Sequence, residues 1–126
     1  MKDFSIARYI ESFAWLFKVI FYLALVVGCY LAFSPVDGSF QAKFNDKALH
    51  FLGFFVMSLC AQLAHPATRF LLLALGLISF GLLIELIQAY LPHRSFSWWD
   101  WAADALGVGC YFMIFAKALK DKSAPG

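Results

Sequence analysis

Residues 70–91 read FLLLALGLISFGLLIELIQAYL, and this stretch decides the fold class. It contains one charged residue, Glu85. At about 1.5 Å per residue, a helix of this length crosses the roughly 30 Å hydrocarbon core of a bilayer. A helix on the surface of a soluble protein would carry a polar face, which this stretch lacks. The stretch therefore predicts a transmembrane helix.

Three more apolar stretches accompany it, at about residues 12–33, 48–64 and 98–116. Short joints separate the four stretches, and none of them leaves room for a soluble domain. The composition agrees, because 63% of the residues are hydrophobic and 14% are charged, against about 45–50% and 25% in soluble domains. We therefore predict a single all-α membrane domain over residues 1–126, a bundle of four transmembrane helices.

The distribution of lysine and arginine predicts the orientation of this bundle. If the chain crosses the membrane four times, both termini and the second loop share one side, which carries most of the ten basic residues. Basic residues accumulate on the cytoplasmic side. We therefore expect both termini on the cytoplasmic side of a multi-pass membrane protein. The net charge of +2, without a basic stripe interleaved with aromatic residues, gives no reason to expect a nucleic-acid partner.

Eight polar side chains fall at the outer ends of the second, third and fourth predicted helices. They are Asp46, Lys47, His50, Glu85, Gln88, Arg94, Asp100 and Asp104. Spacings of three or four residues align the members of each helix on one face. Charged groups inside a membrane are costly and usually face the interior of the bundle. The pattern predicts an outward-facing polar site. Gly53 and Gly107, each three residues beyond a member of the set, predict close approach of the helices.

The eight residues carry an excess of negative charge. Four carboxylates and two basic side chains give a formal charge of −2 while His50 is neutral, an imbalance that a half-buried site seldom tolerates. Protonated carboxylates, a protonated His50 or a bound divalent cation would each reduce it. His50, Glu85, Asp100 and Asp104 could serve as general acids and bases, or as nitrogen and oxygen ligands of a metal ion.

Each residue also has a plainer interpretation. The aspartates at the helix starts could be N-caps that also pair with the helix dipole. Glu85 and Gln88 could hold helices together through hydrogen bonds. Lys47 and Arg94 could lie at the level of the headgroups, and His93 could be a solvated loop residue. The sequence leaves these alternatives open.

The order and spacing of these residues resemble the VanZ-like family of small membrane proteins. The matching pieces, within residues 45–111, are Asp46-Lys47-x-x-His50-Phe51, Glu85-x-x-Gln88, and Arg94-x-Phe96-Ser97-x-x-Asp100-x-x-x-Asp104-x-x-Gly107. The family usually has asparagine where this chain has Asp104. The aspartate adds a potential negative charge to this chain's site. The family takes its name from a protein associated with resistance to the lipid-tailed antibiotic teicoplanin. The resemblance implies a multi-pass protein of the bacterial cytoplasmic membrane that is connected with the cell envelope. It supplies neither a reaction nor a role of this chain in resistance.

Four functions compete at this stage. The first is binding of an anionic envelope lipid or lipid-linked glycan, with Lys47, Arg94 and two helix N-termini holding a phosphate. The second is a membrane-embedded enzyme, with or without a metal ion, that modifies such a lipid. The third is a proton-coupled lipid transporter, which would need an oligomer of this chain. The fourth is a structural bundle whose polar residues only fasten the helices.

Overall fold

The computed structural model describes residues 6–35 and 46–116, and this part of the chain is helical without any strand. The prediction of an all-α protein is therefore confirmed. Five α-helices follow one another, and the last continues directly into a π-helical segment, Phe112–Ala116. The helices are α1 (Ile6–Ser12), α2 (Ala14–Phe33), α3 (Asp46–Ala64), α4 (Phe70–Gln88) and α5 (Trp98–Tyr111).

Three of these helices are long and apolar enough to cross a membrane. They are α2, residues Lys47–Ala64 of α3, and α4. The fourth predicted span is divided, because α5 has 14 residues and the π-helical segment supplies five more. Within residues 6–35 and 46–116, the structure thus gives three candidate spans where the sequence predicted four.

The ends of two predicted spans also differ. The first span is preceded by α1, and the two helices are separated at Phe13. Helix α4 ends at Gln88 rather than at residue 91. There the backbone tightens, and the N–H groups of Tyr90 and Leu91 donate to carbonyls three residues back. Pro92 accounts for the stop, because a proline disfavours the helical conformation of the residue before it.

Helix α3 lies at the centre of the bundle and contacts α2, α4 and α5. Its approach to α5 is very close at Gly107, where an added Cβ would overlap the carbonyl oxygen of Phe51. The prediction for Gly107 is confirmed. The same prediction for Gly53 is wrong, because nothing lies within 4 Å of a Cβ added there. Gly53 is on the exposed face of α3, away from its neighbours.

Large apolar side chains cover much of the outside of the bundle. On α2 the buried side chain is Phe21, while residues such as Trp15, Leu23 and Val26 are more than half exposed. Monomeric soluble proteins rarely expose apolar surface on this scale. The hydrocarbon of a bilayer is the environment in which such a surface is favourable. The protein therefore has both the helices and the apolar exterior of a membrane protein.

Candidate functional site

A hydrogen-bonded pair between α3 and α5 forms the centre of the candidate site. His50 Nδ1 lies 2.7 Å from Asp104 Oδ1. The Asp104 side chain is fully buried and that of His50 is 18% exposed. The close approach at Gly107, one turn beyond Asp104, brings the two helices near enough for this contact.

A second pair lies one turn closer to the helix starts. Lys47 Nζ is 2.9 Å from Asp100 Oδ1, and the opposite oxygen of Asp100 is 3.7 Å from His50 Nε2. Lys47 and His50 are three residues apart on α3, and the two aspartates are four residues apart on α5. The helical spacing that aligned them in the sequence therefore brings all four together. Asp100 has a side chain only 13% exposed, whereas Lys47 is half exposed.

Glu85 joins the site from the end of α4. Its side chain is fully buried, and Oε2 accepts a hydrogen bond of 3.0 Å from the backbone N–H of Ser97. Among the residues that the structure describes, Glu85 Oε1 has no hydrogen-bond partner. Ser97 is the N-cap of α5, where its hydroxyl accepts from the N–H of Asp100. The capping role considered for the aspartates of α5 thus belongs to Ser97.

Three of these residues could hold a metal ion. One nitrogen of His50 and one carboxylate oxygen each of Glu85 and Asp100 all lie within 4.8 Å of one another. The three residues come from three different helices, α3, α4 and α5. The five side chains comprise three carboxylates and one lysine, so their formal charge is −2 while His50 is neutral. We call Lys47, His50, Glu85, Asp100 and Asp104 the polar cluster.

Gln88 and Arg94 lie apart from the polar cluster, although the sequence grouped them with it. Gln88 Nε2 donates to the carbonyl of Ala32 at 2.7 Å. Arg94 donates to the carbonyls of Leu31 and Ser34 at 2.9–3.2 Å. Both side chains therefore bind the C-terminal end of α2. The last carbonyls of a helix lack partners within the helix and carry its negative dipole end, so they attract N–H donors and cations.

His93 takes part in the same interaction. Its Nε2 lies 2.9 Å from the carbonyl oxygen of Phe33, and the residue is exposed in the loop after α4. Asp46, the eighth predicted member, is the first residue of α3, and its side chain lies outside the described residues. Five of the eight predicted residues thus form one cluster. Two others, Gln88 and Arg94, contact the end of α2 instead.

Gly81 is a residue of the site that the sequence interpretation missed. A Cβ added to Gly81 would lie 2.8 Å from Asp104 Oδ2, so α4 can pass the buried carboxylate only without a side chain there. Its position was a usable signal, because it lies four residues before Glu85 within an apolar run. Small residues at such positions favour close helix packing in membranes.

No protein-family model matches the chain, and no solved structure matches it. An uncharacterized protein of Schizosaccharomyces pombe is 32% identical to the chain over 100 residues. The similarity covers 75% of this chain and 59% of the yeast protein, so the chain spans about three fifths of that relative. The description of the relative names no activity. It does show that similar sequences occur in a eukaryote.

Proposed function

We propose that the protein binds the anionic headgroup of a membrane lipid at the polar cluster. The observation that carries this proposal is the cluster itself, three carboxylates, a histidine and a lysine drawn from three helices of an otherwise apolar bundle. Buried charges in a membrane protein are expensive, and they mark ligand or ion sites more often than simple packing contacts. The half-exposed Lys47 lies at the edge of the cluster, where a headgroup can reach it.

The proposed setting is a four-span bundle with both termini inside, in the bacterial cytoplasmic membrane. Helix α5 and the π-helical segment run without a break over residues 98–116, which is roughly 28 Å at a helical rise of 1.5 Å per residue. A fourth crossing is therefore long enough. The excess of lysine and arginine at the termini and the second loop supports the orientation, which puts the cluster in the outer leaflet.

The resemblance to the VanZ-like family supports the envelope setting. Four of its matching residues, Lys47, His50, Glu85 and Asp100, belong to the polar cluster, so the resemblance and the geometry point to the same place. The fifth member, Asp104, stands where the family usually has asparagine. Anionic lipids also occur in eukaryotic membranes, which is compatible with a yeast relative. The proposed ligand class is an anionic lipid or a lipid-linked glycan phosphate.

The structure changes how such a headgroup would be held. Arg94 is bound to α2, so Lys47 and the N-terminal ends of α3 and α5 remain as the groups that favour an anion. Lys47 is itself paired with Asp100. The net charge of the cluster is negative, so an anion needs a cation beside it to bind there.

An enzyme that modifies such a lipid is the second candidate. The observation that favours it is the contact between His50 and the buried Asp104, because a carboxylate that fixes the orientation of a histidine ring is a common arrangement for a general base. Release of phosphate from a defined lipid by the purified protein would distinguish this candidate from binding alone.

The test of the proposal is the thermal stability of the full chain, purified in detergent, with added lipids. We expect a polyprenyl phosphate to raise the melting temperature in a dose-dependent way, because a ligand that binds only the folded state stabilises it. The uncharged polyprenol is the control for the lipid. Lys47→Gln should weaken the shift, because it removes the positive side chain of the cluster that favours an anion. Gly53→Ala, on the exposed face of α3, should leave it unchanged.

Equal stabilisation by polyprenyl phosphate and by polyprenol would contradict headgroup recognition. So would a full shift in the Lys47→Gln protein. If no anionic lipid stabilises a well-folded sample, the cluster serves to fasten the helices, and the structural alternative replaces the proposal.

A further inference from the structure

The buried carboxylate of Glu85 has one oxygen without a hydrogen-bond partner among the described residues. Its side chain is fully buried, one oxygen accepts the N–H of Ser97, and the other has no hydrogen-bond partner within the described part of the chain. Buried polar atoms of this kind are rare and costly, and each calls for an explanation. One carboxylate oxygen of Glu85 also lies within 4.8 Å of a ring nitrogen of His50 and of a carboxylate oxygen of Asp100. A cation among the three would satisfy it.

The histidine is oriented as a metal ligand. When its Nδ1–H donates to Asp104, the neutral ring of His50 carries its lone pair on Nε2, the atom that faces Asp100. Histidines that bind metals usually donate their other N–H to a carboxylate in this way. The 3.7 Å between Nε2 and Asp100 Oδ2 is too long for a hydrogen bond. In this tautomer a lone pair and a carboxylate oxygen face each other and repel, and a cation between them or a proton on Nε2 would remove the repulsion.

We propose that His50, Glu85 and Asp100 bind one divalent transition-metal ion, with Asp104 as the residue that positions His50. One imidazole nitrogen and two carboxylate oxygens suit Zn²⁺ or Mn²⁺ better than Mg²⁺. Three protein ligands leave a coordination position for a further oxygen. The charge of +2 also balances the formal charge of −2 on the polar cluster.

The geometry needs only a small adjustment. Ligand atoms about 2.1 Å from an ion lie roughly 3–4 Å from one another, whereas those of His50, Glu85 and Asp100 lie within 4.8 Å. A contraction of about an ångström is within the reach of side-chain rotation. The ligands come from α3, α4 and α5, so the ion would also cross-link the three helices.

The ion deepens the proposed function and, in its link to a lipid, rests on it. The remaining coordination position would take a phosphate oxygen, which supplies the positive charge that an anionic headgroup needs in a negative cluster. The binding of the metal itself needs no lipid. The two ideas can therefore be tested separately on the same protein.

The experiment uses the full chain without a histidine tag, stripped with EDTA in detergent. We expect Zn²⁺ or Mn²⁺ to raise the melting temperature more than Mg²⁺, and about one ion per chain to remain after desalting, as measured by elemental analysis. Co²⁺ should give the visible absorption of a bound ion. Glu85→Gln and Asp100→Asn should each weaken binding by about 100-fold, and Asp104→Asn by about 10-fold or more. Gly53→Ala should bind like the wild type.

Several outcomes would overturn the metal site. One is a folded protein that retains no ion and shows no shift at millimolar metal, and another is equal binding by the Asp100→Asn protein. Lipid stabilisation that persists in EDTA would also reject the ion as the link to the headgroup while sparing the proposed function. Metal binding without any stabilisation by lipid would support the metal site and contradict the proposed binding of a headgroup.

Discussion

Gly107 and Gly53 lie at the same distance in sequence from Asp104 and His50, yet they do different things. At Gly107 the backbone of α5 touches that of α3, whereas Gly53 faces away from every neighbour. Sequence spacing shows which residues share a face of one helix. It does not show which neighbour covers that face, because this depends on how the helices cross. For that reason one of two identical predictions was right and the other wrong.

These two glycines allow a matched test of the packing. We expect Gly107→Ala to lower the free energy of unfolding by about 1–3 kcal/mol, because its methyl group would overlap the Phe51 carbonyl and push α5 away from α3. Gly53→Ala should be neutral or stabilising by up to about 1 kcal/mol, because alanine is the better helix former and the space is open. Chemical unfolding in detergent measures both.

The result would contradict the structure if the two alanine variants had the same stability. The metal readout adds a second check. Displacement of α5 moves Asp100 and Asp104 away from His50, so Gly107→Ala should also weaken binding of Zn²⁺ or Mn²⁺. A destabilised Gly107→Ala protein with unchanged metal affinity would mean that the cluster does not depend on this helix contact.

At the scale of the element, the end of α2 explains what Gln88, His93 and Arg94 do. All three reach the last carbonyls of α2, which have no partners within the helix. The sequence showed polar residues at the outer ends of the helices. It could not show that α2 ends beside the loop after α4. Lys47, His50, Asp100 and Asp104 were easier to group, because helical spacing alone aligns them.

Removing this contact should affect stability and leave the polar cluster intact. We expect Arg94→Ala to lower the free energy of unfolding by about 1–3 kcal/mol, because the carbonyls of Leu31 and Ser34 lose a charged donor. Arg94→Lys should recover part of the loss, since lysine supplies the charge without the planar fork. The affinity for Zn²⁺ or Mn²⁺ should stay within about threefold of the wild type, because a substitution at a distant site with no shared partners has little effect on the cluster.

An Arg94→Ala protein of normal stability that failed to bind polyprenyl phosphate would contradict a purely stabilising role of Arg94. Arg94 would then act on the anion directly, as the sequence predicted, and its bonds to α2 would be incidental. Measuring unfolding and lipid stabilisation on the same sample separates the two roles.

At the scale of the whole molecule, the number of crossings depends on the last helical stretch. The apolar runs predicted three spans to within a few residues, because length and hydrophobicity alone define a span. The fourth run, residues 98–116, begins with three tryptophans and two aspartates and turns into a π-helix. Hydrophobicity is weaker there, and the structure divides the run into an α-helix and a π-helical segment.

Labelling of single cysteines determines the topology. In a background with Cys29, Cys60 and Cys110 replaced by alanine, we introduce Ser95→Cys in the loop before α5 or Ala67→Cys in the loop before α4. Both positions are exposed. In intact bacterial cells, an impermeant maleimide should label Ser95→Cys and should label Ala67→Cys only after lysis, because the positive side stays inside. A reporter fused to the C-terminus should be active in the cytoplasm.

A C-terminal reporter on the same side as position 95 would mean that residues 98–116 do not cross the membrane. The chain would then have three spans, and α5 would lie along the outer interface with its tryptophans at the headgroups. The polar cluster would not survive that change, because the pairs Lys47–Asp100 and His50–Asp104 need α5 to pack along α3. Labelling of position 67 from outside would instead mean that the protein has the opposite orientation in the membrane. The proposed headgroup would then have to belong to the cytoplasmic leaflet.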